Sequence, residues 1–558
     1  MRRHHLVTVL LFVILVSAGR LSSAEHAIAE LGCANCHTTL PYKSTLRDRT
    51  PDLSSAGLRY NPAWLFEYLQ NPTKVRQHLG RARMPGFYLT EKEALALVEF
   101  LATQKQVAGD WPELPQDIQR SLVQPARTVS ASDFQATLAR GMTCLTCHKL
   151  DGKGGAIGVE LGHIAFRLQR DWVWHYLVAP EMYGVPHTTM PAQFYVRTNR
   201  QFEAVVPDPA GKIDVVVNYL FSLHGEKKSA MEERYNRAKK SATNITAELG
   251  RSIFVGLNCA ACHRNVNIAP RLTNAAPDLA QESSRVKAPW LEAYLRKPFS
   301  IRPFGYHPGD GSRMPDFRLS DGEISEVLAA LGKSPQNPSL QPRPLTAFAR
   351  QKARLLVADK LSCLGCHRLG DVGGRIAPDL TVVGNRLQPD YLLSVVQDPR
   401  KANPHSIMPR VPLAPDLLHL ITGFLLSQQQ SPAPGSYLSL VDHPTIETSS
   451  SLSEGPERNY AQNCAPCHGR TGGGDGFNAR YMPRKPTVHS DAEYMSRRPD
   501  DTLFDGIHSG AGILNKSPYM PPWGETFDRK EIVGLVKYLR SLCRCEGPNW
   551  SRDGTRQP

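Results

Sequence analysis

Ten of the twelve cysteines stand in one arrangement, Cys-x-x-Cys followed at once by His. It occurs as CANCH at 33–37, CLTCH at 144–148, CAACH at 259–263, CLGCH at 363–367 and CAPCH at 464–468. Two thiols three residues apart can hold zinc, exchange a disulfide or attach a porphyrin. A zinc ribbon needs two such pairs around one metal, and these lie about a hundred residues apart. Disulfide exchange needs no His after every pair. Covalent haem needs all three residues: the thiols add to the two porphyrin vinyl groups as thioethers, and the adjacent His lies under the iron. The expectation is five covalently attached haems c, tethered by Cys33 and Cys36, Cys144 and Cys147, Cys259 and Cys262, Cys363 and Cys366, and Cys464 and Cys467, with His37, His148, His263, His367 and His468 as proximal ligands.

A proximal His leaves one axial position open. Each segment supplies a Met-Pro 41 to 52 residues beyond its His: Met84, Met190, Met314, Met408 and Met520. These are expected to be the distal ligands, each to the haem of its own segment. Met182, Met482 and Met495 compete in the second and fifth segments, and His187 and His405, three residues before their Met, are placed to swap in. Thioether sulfur favours ferrous iron and raises the potential. Iron held on both faces has no vacant position for substrate, which favours electron transfer over catalysis.

The elements that must position these ligands repeat with them. Successive first cysteines are 111, 115, 104 and 101 residues apart, a repeat of whole domains. Each begins with a helix entering the motif (EHAIAELG, RQKARLLVADKL) and ends with an amphipathic one (EKEALALVEFLA, RKEIVGLVKYLRSL). The expected fold is all-α, with five tandem domains at 25–110, 131–225, 243–333, 345–429 and 453–545. Stretches rich in Pro, Ser or charge at 110–131, 225–242, 333–345 and 429–453 read as linkers. Ahead of them, Arg2, Arg3, the apolar run Leu6–Val16 and Ser22-Ser23-Ala24 read as an export signal ending at residue 24, with an uncleaved anchor as the alternative. This places the protein in the periplasm or on an extracytoplasmic face.

The repeats alternate. Segments one and three share Arg-Met-Pro and an apolar-Arg pair, Val75-Arg76 and Ile301-Arg302. Segments two and four share CLxCH, a basic-Leu pair, Gly-Gly, RLQxD and HxxMP. Cys33 to Cys259 is 226 residues and Cys144 to Cys363 is 219. A duplicated two-haem unit, A-B-A′-B′, followed by a different domain C, accounts for both numbers.

Between motif and Met the chain resembles the class I c-type cytochromes, in which a Pro follows the haem motif, an Arg follows eight residues later, and W..L..YL.NP leads to the Met ligand. The pattern stands at Pro51, Arg59, Trp64, Tyr68 and Pro72, and again at Pro277, Arg285, Trp290, Tyr294 and Pro298. The fourth segment has Pro378, Arg386, Tyr391 and Pro399. The second has Arg167, Trp172, Tyr176 and Pro180, with Val159 in place of the first Pro. The resemblance implies that the Pro carbonyl accepts the proximal His N–H and that the Arg contacts haem propionates. The fifth segment, with CHGRTGGGDG and YMPPWG, resembles class I domains of bacterial oxidase and dehydrogenase subunits, with Pro483 or Pro486 in the Pro role.

The formal charge of +14 is scattered and accompanies no nucleic-acid recognition motif, so no nucleic-acid partner is expected. Less the leader, and offset by haem propionates, it leaves a mildly basic surface suited to brief encounters with acidic redox partner proteins. Cys543-x-Cys545 is awkward as a mutual disulfide and reads as a cross-link to a partner or as free thiols. The chain therefore reads as an exported multihaem cytochrome passing electrons between redox proteins. Alternatives are a subunit of a membrane oxidase or dehydrogenase complex, with domain C as its docking module, or a peroxidase-like or small-oxide reductase at a haem that loses its Met. Intact-mass measurement is expected to find five porphyrin increments on the mature chain, and acid–acetone extraction to leave the colour with the protein.

Overall fold

The computed structural model describes residues 23–37, 44, 46–76, 80–106, 114–123, 127–139, 143–183, 188, 190–198, 201–270, 276–302, 313–332, 344–404, 406–430, 437–442 and 454–551. The leader run Leu6–Val16, most of the 333–345 and 429–453 linkers, His187 and His405 lie outside them. The described residues are mostly helical, with three two-stranded antiparallel hairpins. Two of the expected linkers carry helix. Gly225–Ser241 is a 17-residue helix in which charged residues fall in i,i+4 pairs such as Lys228–Glu232 and Glu233–Arg237. Its Met231 and Ala238 are buried, and Tyr235 meets Phe66 at 5.8 Å. Within 110–131, Gln116–Val123 is helical.

The helices that enter and leave each motif do pack together, but in the first and third segments they exchange partners. Helix Ser23–Leu31 lies on Asp321–Ala330, and helix Ala247–Gly256 lies on Glu91–Thr103. The second contact is backbone-close: a Cβ on Gly250 would stand 1.8 Å from the Ala96 carbonyl oxygen. The segments expected as domains 25–110 and 243–333 thus each contribute to two globules in space. One globule joins 46–106 to 247–268, and the other joins 23–37 to 276–332.

The connectors differ. In the second and fourth segments the chain turns back after its His through the hairpins Lys149–Leu150 with Lys153–Gly154, and Arg368–Leu369 with Val372–Gly373. Gly154 (φ +113°) and Gly373 (φ +95°) pass so close to the carbonyls of His148 and His367 that a Cβ would sit 2.3 and 2.2 Å away. No other residue type fits there. The connectors 38–50 and 264–276 hold no glycine. The proximal His residues of these segments reach carbonyls 240 and 212 residues away instead.

The exchange is closed by a pseudo-twofold set of contacts around the two Arg-Met-Pro sequences. Gly86 and Asp316 form an antiparallel bridge with N–H···O distances of 2.8 and 2.7 Å. Arg83 donates to the Phe317 carbonyl (2.6 Å) and to Glu323 (3.0 and 2.7 Å). Arg313 donates to the carbonyls of Phe87 and Tyr88 and to both oxygens of Glu93. Each carboxylate is also the capping-box residue of its helix, with Thr90 or Ser320. The same side chain thus starts a helix in one globule and anchors the other.

The packing of A on B recurs in A′ on B′. Tyr60 bridges Leu168, and Val286 bridges Leu387. Asn61 N–H reaches the Arg167 carbonyl and Gln169 N–H the Arg59 carbonyl, both at 3.0 Å. Lys287 to Arg386 and Gln388 to Arg285 repeat them at 2.9 and 3.0 Å.

Arg313 and Glu93 are 3% and 0% exposed, whereas the Arg81–Glu326 pair is about a third exposed. Arg313→Met leaves Glu93 buried and unpaired and is expected to cost about 3–5 kcal/mol. Arg81→Ala is expected to cost no more than about 1 kcal/mol. Denaturant midpoints of the two variants against the parent check this.

Candidate functional site

In the first, third and fourth segments the motif begins as a helix ends. The residue before the first cysteine is left-handed at Gly32, Asn258 and Ser362, with φ of 75°, 54° and 56°. This kink turns the two cysteines and the His off the helix axis. Each His then places Nδ1 on a backbone carbonyl. His148 reaches Val159 at 2.8 Å and His367 reaches Pro378 at 2.7 Å, both within their own segment. His37 reaches Pro277 at 2.8 Å, and His263 reaches Pro51 at 3.1 Å. His468 uses the Thr487 carbonyl at 2.9 Å, so the expectation of Pro483 or Pro486 is corrected to the residue following Pro486. Val159 serves in place of Pro because the acceptor is the backbone.

These bonds set the chemistry of the ring. Burial lowers His37 to about 4 and lowers His263, His367 and His468 as well. The imidazoles are neutral, Nδ1 donates its proton to the carbonyl, and the Nε2 lone pair is left for iron. Burial also pushes the Cys33, Cys36, Cys259 and Cys464 thiols up to about 12. Among the described residues no group of three or more His, Cys, Asp or Glu is disposed to hold a free metal ion.

The arginines of the resemblance meet at the A–B and A′–B′ junctions. Arg59 lies 4.7 Å from the ring of Trp172, in the other segment, and Arg167 lies 5.4 Å from Trp64. Both are 6% exposed, and their Nε atoms are buried without a hydrogen-bond partner. Burial, Arg59 and Arg76 together hold Arg167 down to about 10. At the second junction burial, Arg302 and Arg285 hold Arg386 down to about 9, and Arg386 stands 6.0 Å from Trp290. Arg285 pairs with Glu282. Buried cations with orphaned donors call for anions, and the carboxylates of two porphyrins would meet that demand. The residues therefore fit haem c.

On the distal side, Met84 belongs to the hydrophobic cluster that includes Cys144 and Cys259, and Met314 to the one that includes Cys33 and Cys363. One apolar cavity is lined by Cys33, His37 and Met314 together with Cys363, His367 and Met408. The cavity at His37 is thus lined by Met314 and Met408 and not by Met84, which suits pairings exchanged along with the helices, His37 with Met314 and His263 with Met84. Met520 packs with Cys464, whereas its competitor Met495 is wholly buried in the helical core. Met190 and Met408 share a local turn, their N–H groups donating to Thr188 and Ser406 at 3.3 and 3.2 Å. Of the two candidates in the second segment, Met182 is the one packed in the cluster with Cys144, and its sulfur accepts from Arg197 at 3.3 Å.

Several contributors escape a reading by spacing. His489 stacks on His468 with ring centroids 4.1 Å apart and bonds Tyr460 at 3.0 Å. Asn478 is wholly buried between two motifs. Arg76 and Arg302 were visible as repeated residues, but nothing local joined them to the haem arginines. Cys543 and Cys545 are bonded to each other, correcting the expectation of a partner cross-link or free thiols.

The exchanged ligand sets are testable in a chain lacking the first haem. In Cys33→Ala/Cys36→Ala, Met84→Ala is expected to abolish one of the remaining sulfur-to-iron charge-transfer bands, and Met314→Ala none. Segment-by-segment pairing predicts the reverse.

Two families match the chain. The cytochrome c family matches residues 26–105 and 247–331, and the family of subunit III of cbb3-type cytochrome c oxidase matches residues 453–539. No curated protein and no solved structure matches the chain. Residues 26–105 and 247–331 are therefore similar to cytochrome c and residues 453–539 to a cbb3-type cytochrome c subunit, which together support a class I c-type cytochrome family, a family that transfers electrons by haem.

Proposed function

We propose that the chain is an exported cytochrome that carries electrons between redox partner proteins through five covalently bound haems, each tethered at one Cys-x-x-Cys-His motif. When bound, haem supplies the one-electron ferric/ferrous couple. The chain's own residues do the rest. Neutral imidazoles held by backbone carbonyls present Nε2 to the iron. Methionine sulfur favours the reduced state. Buried arginines hold propionates and keep the pocket from carrying uncompensated negative charge.

The observation that carries this reading is the single cavity shared by the His37 and His367 sites. A pocket built to activate a substrate needs an access route and a vacant ligand position. A cavity that runs from one attachment motif to the next suits two cofactors close enough to exchange electrons.

A second reading, a subunit of a membrane oxidase or dehydrogenase complex, is favoured by the match of residues 453–539 to subunit III of cbb3-type oxidase. Among the described residues no helix is long and apolar enough to cross a membrane. Under that reading the last domain docks on the complex. Co-purification with a membrane oxidoreductase separates it from a freely diffusing carrier. For either, the oxidised protein is expected to give low-spin spectra only and to be reduced and reoxidised reversibly in a potentiometric titration. A substantial high-spin ferric signal would instead support the peroxidase-like or small-oxide reductase reading.

A further inference from the structure

The five motifs occupy an order in space that differs from their order in the chain. Four observations point to neighbours, two of them direct hydrogen-bond contacts. The second and third motifs share one hydrophobic cluster, which holds both Cys144 and Cys259. Across their junction Arg59 meets Trp172 and Arg167 meets Trp64. The third and first motifs touch directly: Asn35, inside CANCH, donates to the sulfur of Cys262 at 3.1 Å, and Thr50 bonds the Cys262 carbonyl. The first and fourth line one cavity. The fourth and fifth are joined by Asn478, whose amide donates to the Gly365 carbonyl at 2.6 Å and to the Cys467 sulfur at 3.4 Å. The same Asn478 accepts from Arg375 N–H at 2.8 Å. Gly365 lies so close to the Tyr519 carbonyl that a Cβ would fall 2.0 Å from it.

Because each thioether cysteine is bonded to the porphyrin rim, contact between attachment loops brings rims together. We propose, resting on the multihaem reading above, that the sites form one line in the order second, third, first, fourth, fifth: 144–148, 259–263, 33–37, 363–367, 464–468. Domain B lies at one end and domain C at the other, and the first motif in the sequence is the middle site. Each transfer oxidises a ferrous site and reduces the ferric site beside it, and no atom moves. The exchange of helices between segments one and three makes this order, because it sets the two attachment loops against each other while leaving A on B and A′ on B′. The ends then differ in kind. One presents a domain of the repeated unit, the other the cbb3-like domain, so donor and acceptor meet chemically distinct surfaces.

The test is made in the full-length, haem-loaded protein with a ruthenium photoreductant on Ile513→Cys, at an exposed position of domain C. One haem at a time is deleted by changing both cysteines of its motif to Ala, and mass and low-spin spectra count the four that remain. Deleting the first haem is expected to confine the fast reduction phase to two of four haems. Deleting the third is expected to leave three of four in that phase, and deleting the second all four. Sequence order predicts four, two and three. An equilibrium titration reads the same map without kinetics: deleting the first haem shifts the potentials of two remaining centres, and deleting the second shifts one. Sequence order reverses those counts, and that result overturns the proposal. Should the first deletion fail to mature, the other two still decide it. Failure of the multihaem reading looks different, since the undeleted protein would then lack five porphyrin increments or show no fast spread of electrons at all.

Discussion

The hydrogen bond from proximal His Nδ1 to a backbone carbonyl is the constraint on which the rest of the molecule depends. It fixes the tautomer, aims Nε2, and requires that a second stretch of chain pass beneath every ring. In the B-type segments that stretch is 11 residues away and is brought back by a hairpin with a glycine against the His carbonyl. In the A-type segments it is 240 and 212 residues away. The same chemical requirement is met by local chain reversal in one case and by exchange between distant segments in the other.

The exchange has energetic consequences beyond the sites. Two Arg–Glu pairs related by a pseudo-twofold axis lock the globules, and their carboxylates are committed to helix caps at the same time. A charge buried as deeply as Glu93 is tolerated only because Arg313, Thr90 and the Leu440 N–H all satisfy it. The two Met-Pro sequences therefore sit at the centre of the interface. Each distal ligand is held by the globule that receives the other segment's haem motif.

Charge follows a similar logic. Arginines that would be costly alone are gathered at the two junctions, where the propionates of bound haems would compensate them. The pairing of A with B is thus electrostatic as well as mechanical. It recurs with the same hydrogen bonds at residues 226 positions apart in A and 219 in B, as a duplicated unit requires. Domain C does not share this device. It meets B′ through Asn478 and Tyr519, and stacks His489 on its proximal His.

The chemistry was legible in the residues themselves: Cys-x-x-Cys-His, Met-Pro, the Arg eight residues after the Pro, and the helical periodicity that flanks them all act within a single segment. So was the alternation of A and B, because it is written in repeated words. Partner choice was not legible. Segments one and three carry nearly the same pattern, so the helix of either satisfies the groove of the other, and local sequence cannot distinguish the two pairings. Only tertiary structure decided between them, through Arg-Met-Pro sequences whose arginines find the opposite capping carboxylate. The order of the sites in space follows from that choice, since contacts between segments hundreds of residues apart leave no mark on the spacing of motifs along the chain.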